Sequence, residues 1–130
     1  MEITYNQTFK ALTQAIDKAN EIGVNANITI LDTGGHQKIF FRMDNAYLGS
    51  IDISMGKAKT AMLFRMNSEL VGEFLAPEAH TYGLTQTSGG LVGFKGGMPV
   101  KENAEIVAYI GVSGGSPDQD FEIATAGSII

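Results

Sequence analysis

The sequence predicts an α+β fold in which helices pack on a central, mainly antiparallel sheet of five strands. Three observations carry that expectation. Capping boxes stand at Thr4–Gln7 and Ser116–Gln119, near the two ends of the chain. Ala26–Leu31 alternates with β-branched Ile28, Thr29 and Ile30, and Glu105–Val112 reads as a stronger strand. Glycine gathers between Gly83 and Gly115, a stretch holding nine of the 16 glycines, well above the usual level of about 7%.

Behind Thr4, the residues Phe9, Leu12, Ile16 and Ala19 recur at three and four positions, giving a first helix with one apolar stripe. Gly23 supplies its stop. After the strand Ala26–Leu31, Thr33-Gly34-Gly35-His36 makes a turn and Gln37–Met43 returns as a second strand. Ile39, Phe41 and Met43 share one face of it, and Phe40, Arg42 and Asp44 the other. Ser50 caps a second helix with a seam of Ile51, Met55, Ala58 and Met62, leaving Lys57, Lys59 and Arg65 off that seam. A shorter helix follows Ser68, with Leu70, Val71 and Phe74 turned inward, and ends before Pro77.

The second half reads as glycine-rich β-structure, with candidate strands at Thr81–Gln86, Gly90–Phe94 and Met98–Val100 before Glu105–Val112. Pro117 then opens a last helix to Ala126, with Gly127 beyond its end. The resulting order is α-β-β-α-α-β-β-β-α. No repeat, linker or low-complexity tract interrupts it, so residues 1–130 are expected to form one domain.

Composition narrows the function. A chain of 130 residues buries roughly two thirds of its unfolded surface. The absence of cysteine excludes disulfides, thiolate chemistry and Cys-ligated metal sites. A net charge of −5 argues against nucleic-acid backbones as partners. No apolar run approaches the roughly 18 residues that would span a bilayer. Met1–Asn6 has neither a basic region nor an apolar core, so no signal peptide is expected and the cytoplasm is the default location.

Several groups are candidates for chemistry, each beside a plainer role. Gly111-Val112-Ser113-Gly114-Gly115 matches a G-x-S-x-G nucleophile elbow, yet no histidine follows His80 to complete a triad. The same corner could cradle an anion at a helix start, but Asp118 and Asp120 already bring negative charge there. His36 and His80 are the only imidazoles and match no metal-site spacing. One histidine suffices as an axial ligand to haem iron; a solvated turn residue is the alternative for each. Arg42 and Asp44 share a strand face, either as an ion pair or as anchors for a ligand carboxylate or carbonyl. Lys95, beside Gly96 and Gly97, either meets an acidic group such as a propionate or is simply solvated. Paired carboxylates for glycoside chemistry, a P-loop and a dinucleotide fingerprint are all lacking.

Five ordered segments together resemble the GlcG/HbpS family, the haem-binding or "haem-degrading" domain also found at the carboxyl end of PduO-type proteins. They are Asp32-Thr33-Gly34-Gly35-His36, Arg42-Met43-Asp44-Asn45-Ala46, Ser50–Ala61 with its Gly-Lys-Ala core, Gly96-Gly97-Met98-Pro99-Val100 and Gly111–Asp120. The resemblance implies a profilin-like domain that assembles into homodimers or larger rings. It further implies a small-molecule ligand, haem in some members, and service to a catabolic operon of the glycolate, propanediol or glycerol type. On that basis His36, then His80, is the expected iron ligand. Arg42 or Lys95 would meet the propionates, with Asp44, Gly96 and Gly97 at the ligand. An auxiliary enzyme with a pocket built on Arg42, Asp44 and the glycine corners, and an operon scaffold, are the alternatives.

Overall fold

Helices open and close the structure for the same local reason. In this computed structural model, which describes residues 2–130, Thr4 Oγ1 accepts the Gln7 N–H at 3.1 Å while Gln7 Oε1 accepts the Thr4 N–H at 2.9 Å. That reciprocal cap starts α1 (Tyr5–Ile22), and left-handed Gly23 (φ 74°) ends it. Ser116 and Gln119 repeat the device at α4 (Pro117–Gly127), with proline in the first turn.

Between them lie β1 (Asn27–Leu31), β2 (Gln37–Arg42), α2 (Gly49–Phe64), α3 (Ser68–Leu75), β3 (Gly97–Glu102) and β4 (Glu105–Ser113). Two 3₁₀ segments, Pro77–Ala79 and Tyr82–Gly89, fill the stretch between α3 and β3. The strands form one sheet in the order β2-β1-β4-β3, with every neighbouring pair antiparallel. Asn27 sits between Arg42 and Ser113, and Leu31 between Gln37 and Tyr109. Beyond β3, the Lys101 N–H donates to the Ser128 carbonyl and the Ile130 N–H to the Lys101 carbonyl, so the end of the chain covers that edge.

Alternation divides the sheet into two unlike faces. Ile28, Ile30, Ile110, Val112 and Val100 meet Ala11, Ala15, Ala19 and Ile123 of α1 and α4 in the hydrophobic core. Each isoleucine buried there contributes roughly 1.5–3 kcal/mol. The opposite face carries Thr29, Gly97 and Gly111, and α2 lies on it. Thr29 Oγ1 is 2.9 Å from Ser54 Oγ. A Cβ on Gly111 would come within 2.6 Å of the Ala58 nitrogen, so only glycine lets the helix backbone approach this closely.

The sheet has four strands rather than the expected five. Thr81–Gln86 lies within a 3₁₀ segment and Gly90–Phe94 forms no strand. Their backbone-to-backbone hydrogen bonds are local, among them Gly90 N–H to the Thr87 carbonyl and Leu91 N–H to the Thr85 carbonyl. Ser88, Gly89 and Gly90 all have positive φ, a backbone path that no ladder can use.

Three helices keep part of the expected face and replace the rest: Leu12, Ile16 and Ala19 of α1, Ala58 of α2 and Val71 of α3 pack inward as expected. In α2 the inward residues are Ser50, Ser54, Lys57, Ala58, Thr60 and Ala61, while Met55 is 41% exposed. Close packing on a glycine-paved sheet selects small side chains over the larger Ile51–Met55–Met62 seam. Ser50 lies inside α2, and the cap position, Leu48, makes no side-chain cap. In α1 the alanines face the core and Phe9 stays exposed, stacked edge-on against Tyr5 at 5.5 Å. In α3 only Val71 of the expected trio is buried; Leu70 and Phe74 face outward.

Candidate functional site

The glycine motifs converge on a buried ion pair. Lys57 Nζ donates to Asp120 Oδ2 and to the Val112 carbonyl, each at 2.9 Å. The Phe94 ring lies 4.9 Å from the ammonium. Asp120 Oδ1 accepts the Gly115 N–H at 2.8 Å. Burial pushes the Lys57 ammonium below its ordinary range, with Asp120 acting against the shift. Burial likewise raises the Asp120 carboxyl, opposed by Lys57 and by the backbone N–H groups of Gly115 and Gly114. A Cβ on Gly96 would stand 2.8 Å from Lys57 Nζ, and the Gly97 N–H donates to Ser68 Oγ at 2.9 Å. Gly96 and Gly97 therefore wrap a lysine that is closed to solvent. The corner after β4 already holds an anion, the chain's own Asp120.

A cleft of about 590 Å³ opens on the other side of α2. Its floor is Asp52, Met55, Gly56 and Lys59, one face of the helix at three- and four-residue spacing. Leu91 and Val92 form a wall, and Thr85, Gly89 and Gly90 overhang it. The wall is pinned by the Val92 N–H donating to Thr60 Oγ1 at 2.9 Å, and the overhang by Lys59 Nζ donating to the Ser88 carbonyl. Gly56 makes the fit possible, since a Cβ there would meet Val92 Cγ2 at 2.6 Å. Gly35 and Gln37, the two neighbours of His36, line the end of the cleft at the β1–β2 turn.

His36 is oriented by Asp32. Asp32 Oδ1 accepts the N–H groups of Gly34 and His36, each at 2.9 Å, which shapes the turn. His36 Nδ1 lies 3.2 Å from both Asp32 oxygens. An ionised carboxylate only accepts, so Nδ1 is the donor in this contact. Partial burial works against the Asp32 carboxylate, but the His36 N–H, its imidazole and the Gly34 N–H hold it below the usual range. The His36 side chain is 82% exposed.

The remaining expected residues lie elsewhere. His80 follows the Pro77–Ala79 turn with φ 61°, exposed, its ring without a hydrogen-bond partner among the described residues. Arg42 and Asp44 are both exposed, and no ion pair joins them among the described residues. Arg42 is at the far end of β2 from His36, roughly 20 Å along the chain by the ordinary strand rise. Asp44 instead borders a shallow hollow of about 250 Å³ beside Phe41 and Ile16. Lys95 donates to Asp118 at 2.8 Å and lies 5.3 Å from the Phe121 ring; the Asp118 bond raises its pKa. Only His36 of this set adjoins the cleft. Lys59, Asp52 and Asp32 were passed over because nothing at their own positions marks them. The four-residue step from Asp32 to His36 was the one available signal.

The family model for haem-degrading HbpS-like proteins matches residues 3–128. The chain belongs to that family. A 15.0 kDa protein of the dhaT-dhaS intergenic region of Citrobacter freundii is 39% identical over 117 residues, 88% of this chain and 82% of its own length. The corrinoid adenosyltransferase PduO of the same organism is 30% identical over 95% of this chain, which spans only 37% of PduO. Among solved structures, a PduOC:haem complex superposes with TM-score 0.90 at 26% identity, covering 98% of this chain and 93% of that one. Klebsiella pneumoniae ORFY gives 0.91 at 31% identity, covering 98% and 89%. Among the described residues no helix is long and apolar enough to cross a membrane, and no cluster of three His, Cys, Asp or Glu suits a metal ion.

Proposed function

We propose that this protein is a small-molecule-binding member of the family whose ligand is haem, held at the cleft between α2 and residues 82–92. The observation that carries the reading is the Asp32–His36 pair beside that cleft. A carboxylate fixing Nδ1 is the usual support of a metal-ligating imidazole, since it sets the tautomer and raises the basicity of Nε2. The residues present therefore fit a haem held through one histidine, with Met55, Leu91 and Val92 as apolar contacts. The cleft volume of about 590 Å³ falls in the ordinary range for ligand sites, about 300–1,000 Å³. Bound haem supplies an iron centre whose behaviour the axial ligand tunes. The haem complex of PduOC supports the ligand class.

Self-association belongs to the same proposal. Tyr47 and Leu48, adjacent at the start of α2, are 73% and 72% exposed, and Tyr5 is 69% exposed. Such large apolar surfaces favour burial against another copy. The protein is proposed to work in the cytoplasm as an accessory to a catabolic operon.

Haemin titration of the purified protein tests the reading. A saturable Soret shift near one haem per chain is expected, lost in His36→Ala and retained in His80→Ala. Native mass spectrometry of the same samples reports subunit number. No saturable shift, or a shift untouched by His36→Ala, overturns the assignment of iron to His36.

A further inference from the structure

We infer that Lys59 is the residue that receives a carboxylate of the cleft's ligand, in place of the more visible Arg42 and Lys95. The inference rests on the cleft being the binding site. Among its lining residues Lys59 is the only base and Asp52 the only acid. Seven residues separate them on one helix face, so the two charges stand about 10 Å apart, with Met55 and Gly56 between. An apolar ligand body lying along that floor meets a cation at one end and a carboxylate at the other. Its acidic group has one favourable end.

The local bonding leaves Lys59 free to take that role. Its ammonium has three donors, and its partner is a neutral carbonyl, that of Ser88. Lys95, by contrast, is already spent on Asp118, and Lys57 on Asp120. Gly89 keeps the approach open, since a Cβ there would stand 3.2 Å from Lys59 Nζ. Ser88 holds a positive φ of 56° without being glycine, a conformation that persists only where neighbours enforce it. The Lys59 bond is one such constraint, and a ligand oxygen competes for the same donor set. The class of ligand specified is an apolar body ending in a carboxylate. A hydrogen-bond donor suits the opposite end, at Asp52.

Hexanoate and hexan-1-ol are the probes, followed by amide chemical shifts in the full-length ¹⁵N-labelled protein, with haemin titrated in parallel. Hexanoate is expected to shift Gly56, Gly89 and Gly90 saturably and hexan-1-ol to bind at least ten-fold more weakly. Lys59→Met should weaken hexanoate at least ten-fold, Lys59→Arg should restore most of it, and Arg42→Met and Lys95→Met should leave it unchanged. Hexanoate binding that ignores Lys59→Met, or no binding at the cleft, overturns the inference even if haemin still binds. Lys59-dependent hexanoate binding without a haemin Soret shift sustains it and removes haem as the ligand.

Discussion

Lys57 Nζ and Asp120 Oδ2 stand 2.9 Å apart, with 0% and 4% of their side chains exposed. This pair joins the middle of α2 to the first turns of α4 across the end of β4, tying three glycine motifs into one structural centre. Removing one partner strands the other charge, which typically costs about 3–5 kcal/mol. Lys57→Met and Asp120→Leu are each expected to destabilise by that order. The double replacement is expected to recover part of the loss, because it removes both buried charges but leaves the Val112 carbonyl and the Gly115 N–H without these partners. Urea denaturation of the four proteins as a double-mutant cycle checks this.

Gly111 is expected to tolerate no side chain. Its Cβ would collide with the Ser54 carbonyl and stand 2.6 Å from the Ala58 nitrogen, both of them helix backbone. Gly111→Ala should destabilise by about 1–3 kcal/mol through overpacking, or more if α2 must lift from the sheet. A fall in urea midpoint with an unchanged m-value would show lost stability without lost compactness.

Gly56 tests the cleft rather than the core. The atom nearest an added Cβ is Val92 Cγ2 at 2.6 Å, the end of a movable side chain. Gly56→Ala should therefore fold, yet push Val92 away from α2 and reshape the ligand wall. Haemin affinity is expected to change several-fold while the circular dichroism spectrum stays that of the parent. An unchanged titration places the ligand elsewhere.

Acid should loosen the His36 turn through Asp32. Its folded pKa lies below the ordinary aspartate value of 3.8, so the folded state sheds the proton more readily than the unfolded chain. The stabilisation is thus fully present above about 3.8 and is lost as pH falls through the lower, folded value. Asp32→Asn should lose that increment near neutrality, and its stability deficit against the parent should shrink toward pH 3 and below. Parallel urea titrations across pH measure the difference.

What could be read ahead of the structure followed from local chemistry. The caps at Thr4 and Ser116 act over three residues, and both α1 and α4 begin where their side chains require. β1 and β4 were legible because β-branched residues cluster there. The failures came from partners distant in sequence. Met55 looked like core because its spacing was right, but Gly111 and Gly97 bring α2 so close that alanine and serine fill the contact. Lys57 stood off the expected seam, and its partner Asp120, 63 residues away, is invisible to any local pattern. Thr81–Gln86 and Gly90–Phe94 looked extended, whereas the positive φ at Ser88, whose carbonyl accepts from Lys59, turns the backbone between them. At the site, the His36 turn was visible and its neighbours on α2 were not.

The two sides of the sheet are finished differently. β2, with Gln37, Lys38 and Arg42 exposed, relies on charge and polarity to discourage strangers. β3 instead depends on Ser128–Ile130, whose main chain occupies the amide and carbonyl of Lys101. Deleting those three residues would bare a ready template for adventitious strand addition and would also strip Ile130 from the margin of the hydrophobic interior. Such a variant would lose solubility and melting temperature together.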